Sequence, residues 1–395
     1  MILYALSGGD VLRTLIKNAY VYSSQREDFS KGNILFANGK IVSVNAENTC
    51  EAENIIDARD ALAIPGFVDV HTHGRAGYDF CSADATGLSE IKKSYLEGGV
   101  TSLMPTLASA PFKDLLDASD RINASKSKDE IGARFLGIHL EGRYLNPEKR
   151  GAHSKELLSE LNADELSVLI NRMTLPCHIT SALELDTDGS FSKKALELGA
   201  SLGLGHTSAD YAQSAELYRK YKMSFSHLFN AMPPLHHRDG GAVCAALTEK
   251  AYCELICDGI HIAPEMIRLA YSCLTNKRVA LITDSMEAAG CADGTYSIAG
   301  NTCIVKNGHA LTLEGKLAGS TLNMKTALEN LMEFCNIPLT EALRCATLTP
   351  AELVKLDVNI GSLEPKKFAD ILLVRESGKH RINIEKVICG GVIYD

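Results

Sequence analysis

The sequence predicts a (β/α)8 barrel of the TIM type with a small β-sandwich domain formed by the N- and C-terminal segments. Three observations carry this. Through the middle of the chain, strand-like runs alternate with amphipathic helical patterns of about 10 to 15 residues, the appearance of repeated βα units on a parallel sheet. The runs that precede helices number roughly eight, which favours a closed barrel over an open doubly wound sheet. Both chain ends instead show short β-type runs broken by turn signals. The expected division is residues 1–62 and 355–395 for the small domain and residues 63–354 for the catalytic barrel.

Taken in order, residues 13–58 hold the runs Leu15 to Tyr22, Asn33 to Phe36 and Lys40 to Val44, with Asn38-Gly39 as a tight hairpin turn. The runs Ala369 to Val374 and Lys386 to Tyr394 match them at the other end. Between them, helices are expected over 86–98, 111–126, 154–171, 208–221 and 321–336. The alternation from Thr295 to Leu317, with Asn307-Gly308 inside it, predicts an inserted hairpin.

Composition sets the bounds. With 395 residues, 46% hydrophobic and 23% charged, the chain is ordinary globular material. Tryptophan is absent and aromatics make up 6%, which argues against a stacking platform for nucleic acid. A net charge of −9 with no Lys/Arg-rich run argues against a polyanion partner, while leaving room for a small anion held by local cations. The 12 cysteines are scattered without a CxxC pair and read as reduced core residues. The apolar residues 1–6 run at once into Ser7-Gly8-Gly9-Asp10, with no basic leader and no long apolar span, so the expectation is a cytoplasmic protein with no membrane partner.

A barrel places its chemistry where its strands end. The run Pro65 to Gly74 ends on His71 and His73, two residues apart and so on one face of a strand. Arg134 to Gly142 ends on Glu141, with His139 on the same face. Further runs end on His206, on His227 and on Asp284. Any one of these is more often a satisfied polar residue than a ligand. Their convergence on one rim is what argues for a site.

Glu141, His206 and His227 supply the two nitrogens and one oxygen of a catalytic zinc site, and His71 with His73 completes a second site beside it. Zinc is the expected metal and iron the alternative, with one or two ions per subunit. Asp284 is suited to take a proton from water acidified by the metal and to return it to a leaving nitrogen, which describes hydrolysis of a C–N bond. The cluster His236-His237-Arg238 stands out in an acidic protein, and arginine's planar fork suits a phosphate.

These motifs together resemble the N-acetylglucosamine-6-phosphate deacetylases of the amidohydrolase superfamily. The resemblance runs from about residue 13 to the end and rests on Pro65 to Gly74, Gly137 to Gly142, Lys149 to His153, Gly205 to Thr207, His227 to Met232, His236 to Arg238, Asp258 to His261, Thr283-Asp284 and Leu317 to Ser320. It implies a homodimer that converts N-acetyl-D-glucosamine 6-phosphate to D-glucosamine 6-phosphate and acetate, with the epimeric N-acetylgalactosamine 6-phosphate as the alternative substrate. It further implies metal ligation by Glu141, His206 and His227, acid/base work by Asp284, and polarisation of the acetamide carbonyl by His153. Asn230, Ala231, Arg238 and His261 are implied to hold the phosphorylated sugar, the arginine often reaching across the dimer. One departure stands in this chain: Arg143 occupies the place of the family's proline after Glu141-Gly142, which suggests a looser loop and a cation near the substrate.

Two rivals belong to other classes. Another metal-dependent amidohydrolase, a cyclic-amide hydrolase or a deaminase, would have no use for Arg238. A non-catalytic barrel would be expected to have lost ligands, and none is missing here.

Overall fold

In the computed structural model, the structure describes residues 12–45, 51–125 and 131–394. Eight parallel strand positions form the barrel: Phe67–Thr72, Val100–Leu107, the interrupted pair Arg134–Phe135 and Ile138–Glu141, then Cys177–Ser181, Ser201–Leu204, Ser224–Phe225, Cys253–Ile256 and Val279–Ile282. Each pairs with its successor in sequence. Side chains on these strands are almost all buried, because helices cover the outer face and packed side chains fill the inner one. The seam between the eighth strand and the first is bridged by Asp69, whose carboxylate accepts from the Thr283 hydroxyl at 2.6 Å and the Thr283 N–H at 3.3 Å. The Asp284 N–H closes the same seam by donating to the His71 carbonyl at 3.0 Å.

Four of the described α-helices start where a short polar side chain takes free N–H groups of the first turn. Asp84 caps Ala85–Glu97, Asn323 caps Met324–Cys335, and Asp210 with Gln213 forms a reciprocal capping box on Tyr211–Tyr221. The helix expected over 154–171 is not one element. Lys155–Leu157 makes a single 3-10 turn, and the helix proper, Ala163–Arg172, begins only where the Asn162 side chain accepts from the N–H groups of Asp164 and Glu165. The helix expected over 111–126 spans Phe112–Ala124, its last expected residue lying outside the described residues.

The segment read as an inserted hairpin is a three-stranded antiparallel sheet, Gly294–Ile298, Asn301–Lys306 and His309–Thr312. Asn307-Gly308 makes the second turn as expected, with φ of 51° and 79°. The first turn is Ala299-Gly300, at 48° and 82°. Alanine is an unfavourable residue for a left-handed position, so the sequence gives little sign of that turn.

The terminal segments form one eight-stranded sheet. Leu62–Pro65 runs parallel to Tyr20-Val21 and antiparallel to Ile371–Gly378, joining the two chain ends. Ile16, Ile34, Phe36, Ile41, Ile371 and Ile388 make a core separate from that of the barrel. Gly66 then carries the chain directly into the first barrel strand, at a point where a Cβ would come within 2.2 Å of the Thr101 hydroxyl. Six of the described cysteines are buried and all the described ones are free, as a reduced core requires. Among the described residues no helix is long and apolar enough to cross a membrane.

Candidate active site and metal centre

The strand ends bring the expected ligands together around one carboxylate. Glu141 Oε1 lies 2.8 Å from His227 Nε2 and 3.3 Å from His206 Nε2, and Glu141 Oε2 lies 2.9 Å from His73 Nε2 and 3.3 Å from His71 Nε2. Two candidate metal groups therefore share Glu141: one with His206 and His227, the other with His71 and His73. Asp284 Oδ1 closes the second group at 3.2 Å from His73 Nε2 and 3.7 Å from His71 Nε2.

The donor set fits a divalent cation. His206 Nε2 and His227 Nε2 face each other at 3.0 Å, and His71 Nε2 is buried with no hydrogen-bond partner. The second nitrogen of His71 is fixed at 2.8 Å from Glu254 Oε2, and that of His206 donates to the Lys149 carbonyl at 2.8 Å, so each ring turns its other nitrogen toward the centre. Two carboxylates in so dry a place demand positive charge. Burial works to strip the protons from His71 and His73, but the acids around them win. His71 is held well above the ordinary histidine value by Glu141, Glu254 and Asp284, and His73 is raised to about 9 by Asp284 and Glu141. Burial likewise pushes the carboxyls up, and the imidazoles outweigh it: His71 and His206 hold Glu141 well below its usual range, and His71 and His73 hold Asp284 down to about 2.

The backbone at these positions is bent to the task. His206, His227 and Asp284 have φ of 48°, 28° and 47°, values that L-residues rarely adopt. A strand that simply continued would aim these side chains along the barrel wall. The left-handed residue two positions past each strand, after Leu204, Phe225 and Ile282, turns the chain at the barrel mouth instead.

Above the ligands lies a pocket of about 150 Å³, lined in part by His153, Asn230, Ala231, His261 and Asp284, and roofed by Ile298 and Ala299 of the inserted sheet. His153 is buried with Nε2 3.8 Å from Glu141 Oε2. Burial, reinforced by His206, pushes its pKa down to about 3, so it stands neutral. His261 is held by Asp258, 2.7 Å from its Nδ1. The Asn230 amide group donates to the His227 carbonyl at 3.1 Å.

Arg238 is not brought to this pocket. It lies with His236 and His237 in an exposed segment that lines a separate, open concavity with Tyr211 and Leu235. Arg143 corrects an expectation: its side chain forks onto Glu165 (3.0 and 3.3 Å) and the Ala110 carbonyl (3.1 Å) and does not line the pocket.

Three supporting residues escaped the sequence reading. Glu254, Asp69 and Ser109 are all buried: Glu254 holds the His71 ring, Asp69 accepts from the His71 N–H and from Thr283 beside Asp284, and Ser109 meets His153. Glu254 left one sign, a lone carboxylate within the apolar run Cys253–Ile256. His139, on the face of Glu141, lies deeper in the barrel between Thr106 and Thr180.

The chain is similar to known proteins over most of its length. The sequence model of the amidohydrolase family matches residues 62–394. The chain is 35% identical over 329 residues to the N-acetylgalactosamine-6-phosphate deacetylase of Escherichia coli O157:H7, covering 82% of this chain and 86% of that protein. It is 32% identical over 377 residues to the N-acetylglucosamine-6-phosphate deacetylase of Vibrio furnissii, covering 90% and 91%. Among solved structures, the N-acetylglucosamine-6-phosphate deacetylase of Pasteurella multocida superposes with a TM-score of 0.88 at 26% identity, over 97% of this chain and 100% of that one. A mutant of the Mycobacterium smegmatis deacetylase in complex with N-acetyl-D-glucosamine-6-phosphate gives 0.85 at 25% identity, over 98% and 99%. With the family matched over most of its length and its strand-end donors converged on one mouth, the chain belongs to the amidohydrolase family of metal-dependent hydrolases.

Proposed function

We propose that this chain hydrolyses the acetamide of N-acetyl-D-glucosamine 6-phosphate to D-glucosamine 6-phosphate and acetate, a step of amino-sugar recycling in the cytoplasm. The observation that carries the reading is one pocket in which Glu141, His206 and His227 meet an ionised Asp284 and a neutral His153. Glu141, His206 and His227 would hold the catalytic ion, and His71 with His73 a second one. Zinc suits this set of imidazole and carboxylate donors, with iron as the alternative. When bound there, a divalent ion supplies Lewis acidity and brings the pKa of a water toward about 7.

The protein's own groups do the rest. Asp284 takes a proton from the attacking water and passes it to the leaving nitrogen as the C–O bond forms and the C–N bond breaks. His153 Nε2–H donates to the acetamide oxygen while negative charge collects there. Asn230, Ala231 and His261 line the side of the pocket where the sugar would lie. Arg238 reaches a phosphate in this reading only across the twofold axis of a homodimer, since its own segment lies apart from the pocket.

A second reading, the epimeric N-acetylgalactosamine 6-phosphate, is favoured by the 35% identical relative that bears that name. Acetate release measured on both hexosamine phosphates and on plain N-acetylglucosamine, with metal analysis of the same samples, tests both. The expected result is a strong preference for a phosphorylated sugar, lost in Arg238→Ala, whose kcat/KM falls far more for the phosphate than for the plain sugar. A wild-type enzyme indifferent to phosphate overturns the reading.

A further inference from the structure

Ser109 follows the second barrel strand and has no role in the chemistry described so far. Its hydroxyl lies 2.8 Å from His153 Nδ1, and its backbone N–H donates to the same nitrogen at 3.4 Å. A backbone N–H can only donate, so Nδ1 must present its lone pair, and the proton of the neutral ring then sits on Nε2. The hydroxyl is itself oriented, because the Arg143 N–H donates to Ser109 Oγ at 3.0 Å. With that lone pair engaged, the hydroxyl proton is free to point at His153. Ser109 and His153 are 2% and 5% exposed, so water competes little for either bond.

The chain path that brings the Arg143 amide there is specific. Gly142 has φ of 153°, and a Cβ on it would come within 2.3 Å of the Ser109 nitrogen. Arg143 follows at φ 62°. Proline could supply neither that angle nor the N–H.

We infer that Ser109 is a positioning residue which, oriented by the Arg143 amide, fixes His153 as the Nε2–H tautomer with its proton aimed into the pocket. The opposite tautomer would turn a lone pair toward the acetamide oxygen and repel it. The inference rests on the proposed role of His153 as donor to that oxygen, and its test separates the two.

The test compares Ser109→Ala with the wild type, both metal-loaded, on the acetyl and trifluoroacetyl amides of glucosamine 6-phosphate. On the acetyl amide kcat should fall about tenfold, the cost of roughly one well-made hydrogen bond, with KM and metal content unchanged. The trifluoroacetyl carbonyl is already electron-poor and needs less help, so there the loss should stay under about threefold. Ser109→Thr, which keeps the hydroxyl, should recover most of the rate on the acetyl amide. Nitrogen NMR of labelled histidines should show a His153 Nε2–H signal, identified by its loss in His153→Gln, that gives way in part to an Nδ1–H form in Ser109→Ala, where only the long 3.4 Å bond from the backbone N–H remains to hold the tautomer. Equal losses on the two amides, or an Nδ1–H ring in the wild type, overturn the inference. Full activity of His153→Gln on the acetyl amide overturns instead the role of His153 on which it stands.

Discussion

The barrel mouth and the terminal sheet obey opposite rules. At the mouth, His206, His227 and Asp284 sit in left-handed backbone, and two carboxylates share a dry space with five imidazoles. In the terminal sheet the packed cluster around Ile16, Ile34 and Ile371 is apolar, and the left-handed residues of the terminal segments, Asn18, Glu27, Asn38, Arg59, Asp60 and His380 among them, are polar side chains that hold no common charged cluster. One region packs a cluster of charged and titratable groups that the surrounding barrel must hold in place. The other contributes stability and lines no part of the pocket at that mouth. The contrast teaches that activity and stability should respond to different substitutions, and each prediction below tries to break that separation.

The largest effect is expected at the ligands. With His206 or His227 changed to Ala, the cluster loses a nitrogen, and metal affinity should fall by more than about 10²-fold, with activity following it. The metal-free forms should melt within a few degrees of metal-free wild type, since these imidazoles contribute more to ion binding than to packing. Inductively coupled plasma analysis with paired melting curves checks this, and full metal content in both variants would sink the ligand assignment.

Next comes Asp284→Asn, which keeps the shape of the side chain and removes the base. Turnover should drop by roughly 10²–10⁴ while substrate and metal still bind. Retained turnover, or lost substrate binding, would remove Asp284 from its role as proton carrier.

What could be read in advance follows the same division. The convergence of the strand ends was legible because a polar residue that ends an apolar run is unusual, and five such ends agreeing on one rim is more unusual still. His153, Asn230 and His261 lie in loops with no period, and only the resemblance pointed to them. Ser109 and Asp69 left no trace, because a serine after a strand or a single acid within one looks the same whether or not it holds a neighbour in place. Five described α-helices escaped, Ser190–Glu197, Gly241–Thr248, Pro264–Leu274, Leu339–Ala346 and Leu348–Leu353, most of them short, and Gly241–Thr248 also because its small apolar residues show no polar face. The split of 154–171 turned on one asparagine side chain, a local contest between cap and helix that periodicity does not register.

In the terminal sheet the separation predicts the reverse pattern. Ile371 is fully buried there, and Ile371→Ala should cost about 2–5 kcal/mol of stability through lost packing and the cavity left behind. Turnover per folded molecule should not change. A drop in kcat at a temperature where the variant is fully folded would show that the two regions are coupled.

The smallest effect is expected at Arg143, which lies between the two regimes. Its side chain pairs with Glu165, the two groups being 15% and 23% exposed, and lies over the Phe112 ring. Its backbone amide, in contrast, faces the site through Ser109. Arg143→Ala removes only the first set of contacts and should cost about 1 kcal/mol of stability, the range for a partly exposed pair with good geometry. Because the amide remains, kcat, KM and the preference between gluco and galacto substrates should be unchanged. Arg143→Pro removes the amide and forbids the φ of 62°, so it should lower kcat as well as stability. Measured together, the two variants divide one residue between the two regions: a shift in sugar preference in the alanine variant would return the side chain to the substrate pocket, and an unimpaired proline variant would take the amide out of it.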